Sequence, residues 1–179
     1  MNVEDLMRSN TVDVTDIRRR AAQILDDAGL QKCATLDDVV AMTRQVHGKP
    51  IDISVTDDPT YQSLSAVWID WPDFAAVLVR AKDRPVFRVR GIGHELGHML
   101  HGHVGCHLTS AALTPQEQAA FSSLTQQGAV VRGRVSASRL NRHAPDPDLV
   151  RAEVEAEQTG VLIVRHLLTA SHLADKAFG

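Results

Sequence analysis

The sequence predicts an α+β fold, a helical domain with a small antiparallel three-stranded sheet packed beside one central helix. Three observations predict it. Apolar residues recur at helical spacing towards both ends of the chain, three short β-rich runs occupy its middle, and Arg84-Pro85 opens a helical stretch reaching about His103. That last stretch contains His94-Glu95-Leu96-Gly97-His98.

Each element has its own signal. Residues 1–12 lack periodicity and are expected to form a flexible lead-in. Val14, Ile17, Ala21, Ile24, Leu25 and Ala28 mark a first helix, with Asp13 or Thr15 as its cap and Gly29 as its stop. A second helix runs from Leu36 to Val46 behind Thr35 and ends at His47-Gly48-Lys49-Pro50. Ile51 to Val55, Leu64 to Ile69 and Phe74 to Val79 read as strands, the last two joined by the turn residues Asp70-Trp71-Pro72-Asp73. Gly102 and Gly105 are stop signals for the His94 helix. Thr114 followed by Pro115 starts a helix to about Leu124, the segment from Gln126 to Pro147 reads as loop, and a long last helix spans Pro147 to about Leu168. One domain over residues 13–170 follows, with 171–179 as a tail.

Composition narrows the function classes. With 44% hydrophobic and 23% charged residues the chain has the make-up of a folded globular protein. A net charge of −3 and a pI near 6.3 provide no general attraction to nucleic acid or an anionic membrane. Arg18-Arg19-Arg20 point in three directions on a helix and read as a solvated face. No apolar run approaches the ~20 residues of a membrane span, and the acidic, polar start MNVEDLMRSN is unlike a signal peptide, so a cytoplasmic location is expected. Cys33 and Cys106 form no CxxC pair and read as free thiols, with Cys106 a remote candidate as a stray metal ligand.

The chemistry lies in the HExxH spacing. At about 100° per residue His94 and His98 leave one helix face a turn apart, close enough for both imidazoles to hold one zinc ion. Glu95 borders that face and can take a proton from a water activated by the metal. With 9 His and 6 Glu in 179 residues, chance yields such a match on the order of once or twice per hundred chains. Gly97, and Gly93 before the first histidine, add weight, because glycine inside a helix costs about 1 kcal/mol and signals close packing or function. His101 lies about 10 Å along the axis from His94, too far to share its metal, and is expected as an outer or surface residue. His101 and Val104 also break the longer pattern HExxHxxGxxH, so the third ligand must come from elsewhere.

Three of the six glutamates, Glu153, Glu155 and Glu157, sit together in the last helix. Of these, Glu153 lies closest to the apolar face, while Glu155 and Glu157 flank it on opposite sides. Periodicity alone does not choose among them.

The stretch FRVRGIGHELGHMLHGH, Phe87 to His103, followed some fifty residues later by Glu153-Val154-Glu155-Ala156-Glu157, resembles the ImmA/IrrE family of metallopeptidases, in particular its short actinobacterial-type members. The order of elements is also similar over roughly residues 14 to 168. The resemblance implies a zincin-like fold and, because the glutamate directly before alanine is the third ligand in that family, a zinc site of His94, His98 and Glu155 with Glu95 as the catalytic base. The chain departs from the family pattern at Thr159 and Gly160, where many relatives carry an aromatic residue and alanine.

The expected activity is zinc-dependent endopeptidase. For the developing oxyanion Tyr61, His107, His143 or Arg134 are the candidates, and a sheet edge near the cleft is a place for an extended peptide. The resemblance implies as substrate a helix-turn-helix transcription regulator encoded nearby. The chain has no DNA-reading module of its own, so any DNA contact would be through that partner. The alternative is a catalytically silent zinc-containing regulatory or toxin-like binding module, against which Glu95 argues because a structural site needs no base. A general degradative peptidase is a third reading.

Overall fold

The structure, a computed structural model, describes residues 13–61, 64–103, 113–133 and 147–178. Asp13 opens the first helix, α1 (Val14–Ala28), by accepting from the backbone N–H groups of Thr15 and Asp16, and Gly29 closes it. Thr35 and Asp38 form a reciprocal capping box at the start of α2 (Leu36–His47). These local devices orient two short amphipathic helices so that Ile17, Ala21, Leu25, Val39, Val40 and Met42 are all buried.

Four strands follow in one sheet: β1 (Ile51–Thr56), β2 (Ala66–Asp70), β3 (Ala75–Arg80) and β4 (Val130–Gly133). Their order is β1-β3-β2-β4. The expected β2–β3 hairpin is present, closed by the hydrogen bond from Trp71 N–H to the Phe74 carbonyl. The sheet is otherwise mixed and larger than the antiparallel three-stranded one expected. β1 lies parallel to β3, with Ile51 opposite Ala75, and β3 stands between β1 and β2. β4 pairs antiparallel with the free edge of β2, in a segment expected to be loop. Four residues are too few for alternation to announce a strand, and the open edge of β2 supplies the pairing that local sequence does not.

Alternation along β3 turns Ala75, Val77 and Val79 towards the main core, which also takes Trp68, Ile92, Leu96 and Ile163. β2 is buried on both faces, since Val67 and Ile69 pack on the other side against Phe121 of α4 (Pro115–Gln126). Between the sheet and the last helix, α5 (Pro147–Phe178), runs α3 (Pro85–Leu100), whose residues from Gly91 to Leu100 are all buried. Helix α5 continues to Phe178, beyond the expected end near Leu168. No described helix is long and apolar enough to cross a membrane.

The α3–α5 contact is very close. A Cβ at Gly97 would stand 2.8 Å from the Ala156 carbonyl oxygen, and one at Gly160 would stand 2.9 Å from the His94 nitrogen. Small residues four apart on each helix, Gly93 and Gly97 against Ala156 and Gly160, let the two backbones meet, with α3 and α5 running in opposite directions. Helix propensity alone would make Gly97→Ala or Gly160→Ala stabilising by about 1 kcal/mol. Here each methyl meets backbone, so a net loss of about 1–3 kcal/mol is expected in urea unfolding. Unchanged or increased stability would contradict the close crossing.

Candidate metal centre

Because α3 is buried from Gly91 to Leu100, its polar residues there are buried with it: His94 is 2% exposed, Glu95 1% and His98 3%. Polar groups at this depth are costly without partners. The partners come from α5, which the small-residue crossing brings within reach.

His94 and His98 direct their Nε2 atoms at each other, 3.1 Å apart. The Glu153 carboxylate spans the pair, with Oε2 3.3 Å from His94 Nε2 and Oε1 3.3 Å from His98 Nε2. Zinc bonds of about 2.0–2.1 Å in a tetrahedron place neighbouring ligand atoms about 3.3–3.4 Å apart. The two nitrogens are therefore spaced much as ligands of one such ion, each with an oxygen of Glu153 at 3.3 Å, and the chemistry of the set, two imidazoles and a carboxylate, suits a divalent metal. Glu95, beside His94 in sequence, is buried too, and its charge acts on His94.

Behind each imidazole stands a further group. His94 Nδ1 faces Glu157 Oε2 at 3.5 Å, and Arg90 pairs with the same carboxylate. His98 Nδ1 lies 2.9 Å from His103 Nδ1, and His103 Nε2 lies 3.0 Å from Glu155 Oε2. The other oxygen of Glu155 accepts from Arg151 Nε at 3.1 Å.

Glu155, the expected third ligand, is thus not brought to the His94–His98 pair; that place is taken by Glu153. The reason is helical geometry. Ala156 and Gly160 define the face of α5 that meets α3, Glu153 lies about 60° from Ala156, and Glu155 lies about 100° away on the opposite side. Glu155 instead joins His101 and His103 in a second group of donors. Thr159 and Gly160 both have local work in this arrangement. Gly160 admits the α3 backbone, and the Thr159 hydroxyl meets His101 Nε2 at 2.9 Å while donating to the Glu155 carbonyl.

Tyr61 packs on Phe121, in the cluster on the far face of β2, and is not at the site. Cys106, His107, Arg134 and His143 lie outside the described residues. Two residues near the centre carry no signal in a motif search. Arg132 of β4 lies over the Trp68 ring and donates from Nη1 to the His103 carbonyl at 2.7 Å. His103 itself is placed by the end of α3: Gly102 takes φ +65°, its N–H bonds the Met99 carbonyl, and the His103 N–H bonds back to the His98 carbonyl. That is a Schellman ending, which folds the residue after the glycine over the one a turn and a half earlier. Gly102 in the sequence was its only trace.

Charge at the centre follows from this packing. Burial opposes charging His94, but the carboxylates of Glu153, Glu157 and Glu95 outweigh it and hold the imidazole up at about 9. Burial also works to raise Glu153, and His94 and His98 outweigh it, holding that carboxyl well below the usual range. His98 and His103 are pushed down, first by burial. Burial and neighbouring His103 bring His101 down to about 4.

The sign of the resulting pH dependence is fixed. An unfolded histidine titrates near about 6.5. The stabilising contribution of His94 in the metal-free protein is therefore complete below that pH and is lost as pH rises through about 9. The depressed histidines act in the opposite sense, and their contribution is complete above about 6.5. Urea unfolding in chelator is expected to show stability falling from pH 7 to pH 8.5, and in His94→Gln that fall should disappear. A rise over this window would contradict the assignment.

Comparison with protein-family models, with curated proteins and with solved structures returned no match, so the reading of this centre rests on the chain's own residues.

Proposed function

We propose that the chain is a zinc-dependent endopeptidase whose metal is held by His94, His98 and Glu153, with Glu95 as the catalytic base. The observation that carries this reading is the pair of Nε2 atoms 3.1 Å apart, each with an oxygen of Glu153 at 3.3 Å, with the buried Glu95 acting on His94 from beside it. Zinc there would supply a Lewis acid for the scissile carbonyl and the attacking water. Glu95 takes the proton from that water and delivers it to the leaving amine nitrogen. Glu157 and His103 hold the two imidazoles from behind. Among the described residues the site has three protein ligands, which leaves a place for substrate as a catalytic site requires and a structural one does not.

The edge of β4 is the proposed place for an extended peptide, because Arg132 ties that strand to the His103 carbonyl beside the centre. The likeness of FRVRGIGHELGHMLHGH to the ImmA/IrrE family extends the proposal to a zincin-like fold and, as substrate, a helix-turn-helix transcription regulator encoded beside the peptidase.

Incubation of the purified protein with that regulator tests the reading. Zinc-loaded wild type should cleave it, chelator should stop cleavage, and Glu95→Gln should keep its zinc while losing about 10²–10⁴-fold in rate. Cleavage that survives chelator or Glu95→Gln would contradict the mechanism, and zinc-loaded wild type that binds the regulator without cutting it would favour the silent binding module.

A further inference from the structure

Two groups of metal-capable side chains stand side by side, His94, His98 and Glu153, and His101, His103 and Glu155. Their side chains meet where His98 Nδ1 approaches His103 Nδ1 at 2.9 Å. Two neutral imidazole nitrogens at that distance share one proton: one nitrogen carries it and the other accepts. The position of that proton decides which group can hold a metal.

If the proton is on His98 Nδ1, then His98 Nε2 is bare and faces the His94–Glu153 side. His103 is then bare at Nδ1 and protonated at Nε2, and its Nε2–H donates to Glu155 Oε2 at 3.0 Å. If the proton is on His103 Nδ1, then His103 Nε2 is bare against a carboxylate oxygen, two acceptors in contact, and His98 is protonated at the nitrogen the metal needs. Only the first arrangement pairs both ring nitrogens of His103 without a second ion and leaves His98 Nε2 open to a metal shared with Glu153.

The surroundings favour it too. Glu155 is already held by Arg151 at 3.1 Å, and Arg20 stands 3.9 Å from the same oxygen, so a cation at His101, His103 and Glu155 would face two guanidinium groups. His101 Nε2 donates to the Thr159 hydroxyl, which itself donates to the Glu155 carbonyl, and the His101 ring stacks on His103 at 5.0 Å between centroids. That stacking, the Schellman ending at Gly102 and the bond from Arg132 fix the plane and position of His103.

We propose that His103 and Glu155 form a positioning relay behind His98, Glu155–His103–His98, which presents His98 to the metal as the tautomer bare at Nε2, and that they are not a second metal site. The proposal rests on the reading of His94, His98 and Glu153 as the metal site and deepens it. Outer partners of metal-bound histidines set ring orientation and basicity, and their loss typically lowers metal affinity about 10–100-fold. Here the partner is a histidine that is itself held by a carboxylate.

The test is zinc alone, titrated against a chromophoric chelator into the full chain, with metal content per chain and imidazole ¹⁵N spectra of the zinc-loaded protein. Wild type should bind one zinc, and His94→Ala and Glu153→Ala should lose it; retention by both would overturn the site reading and the relay together. His103→Phe should still bind one zinc, about 10–100-fold more weakly, and His103→Gln, whose amide oxygen can accept from His98 Nδ1–H, should recover most of that loss. In the zinc-loaded wild type, His103 should be protonated at Nε2 and bare at Nδ1. The relay alone is overturned if His103→Phe binds zinc as wild type does while His94→Ala does not, or if the His103 proton is found on Nδ1. Two zinc ions per wild-type chain, one of them lost in His103→Phe, would overturn it in favour of a second metal site.

Discussion

The close crossing of α3 and α5 is the constraint on which the rest of the structure depends. A helix that presents His94 and His98 on a buried surface has polar groups to satisfy, and a second helix at near-contact distance brings carboxylates to both of them. Gly97 under Ala156 and Gly160 under Gly93 allow that distance. The apolar side of α3, through Ile92, Leu96 and Met99, is anchored in the core shared with the sheet, so the crossing is held from behind as well. Sheet, central helix and last helix thus form a stack whose polar layer lies between the two helices.

Within that layer, burial and charge pairing act against each other. Desolvation pushes every histidine towards the neutral form, and His98, His101 and His103 follow it. His94 does not, because three carboxylates surround it. In the absence of metal the centre is therefore an ion pair of protonated His94 with ionised Glu153, and a metal binding there must displace that proton. A buried ion pair is weak support for a fold, since the cost of desolvation offsets the attraction. Its retention in a core that could be apolar is better explained by what it can bind.

The sequence announced much of this, and unevenly. The caps at Asp13 and Thr35, the stop at Gly29, the turn before Phe74 and the helical setting of HELGH were all legible, because each is a local preference that packing did not override. The parallel placement of β1 and the short strand β4 were not, because both depend on which edge is open once distant elements have met. The acidic cluster is the instructive case. Apolar periodicity put Glu153 nearest the packed face, whereas family likeness pointed to Glu155, and the geometry agrees with the periodicity. The pairing of Gly93 and Gly97 with Ala156 and Gly160, both spaced by four, was readable in the chain and would have fixed that face. His103 and Arg132 were hidden because one depends on a helix ending and the other on the register of an unforeseen strand.

Anomalous scattering at the zinc edge from crystals of the zinc-loaded protein would locate the metal directly. A single peak is expected about 2.0–2.1 Å from His94 Nε2, His98 Nε2 and an oxygen of Glu153. A peak among His101, His103 and Glu155, or none on this face of α3, would contradict it.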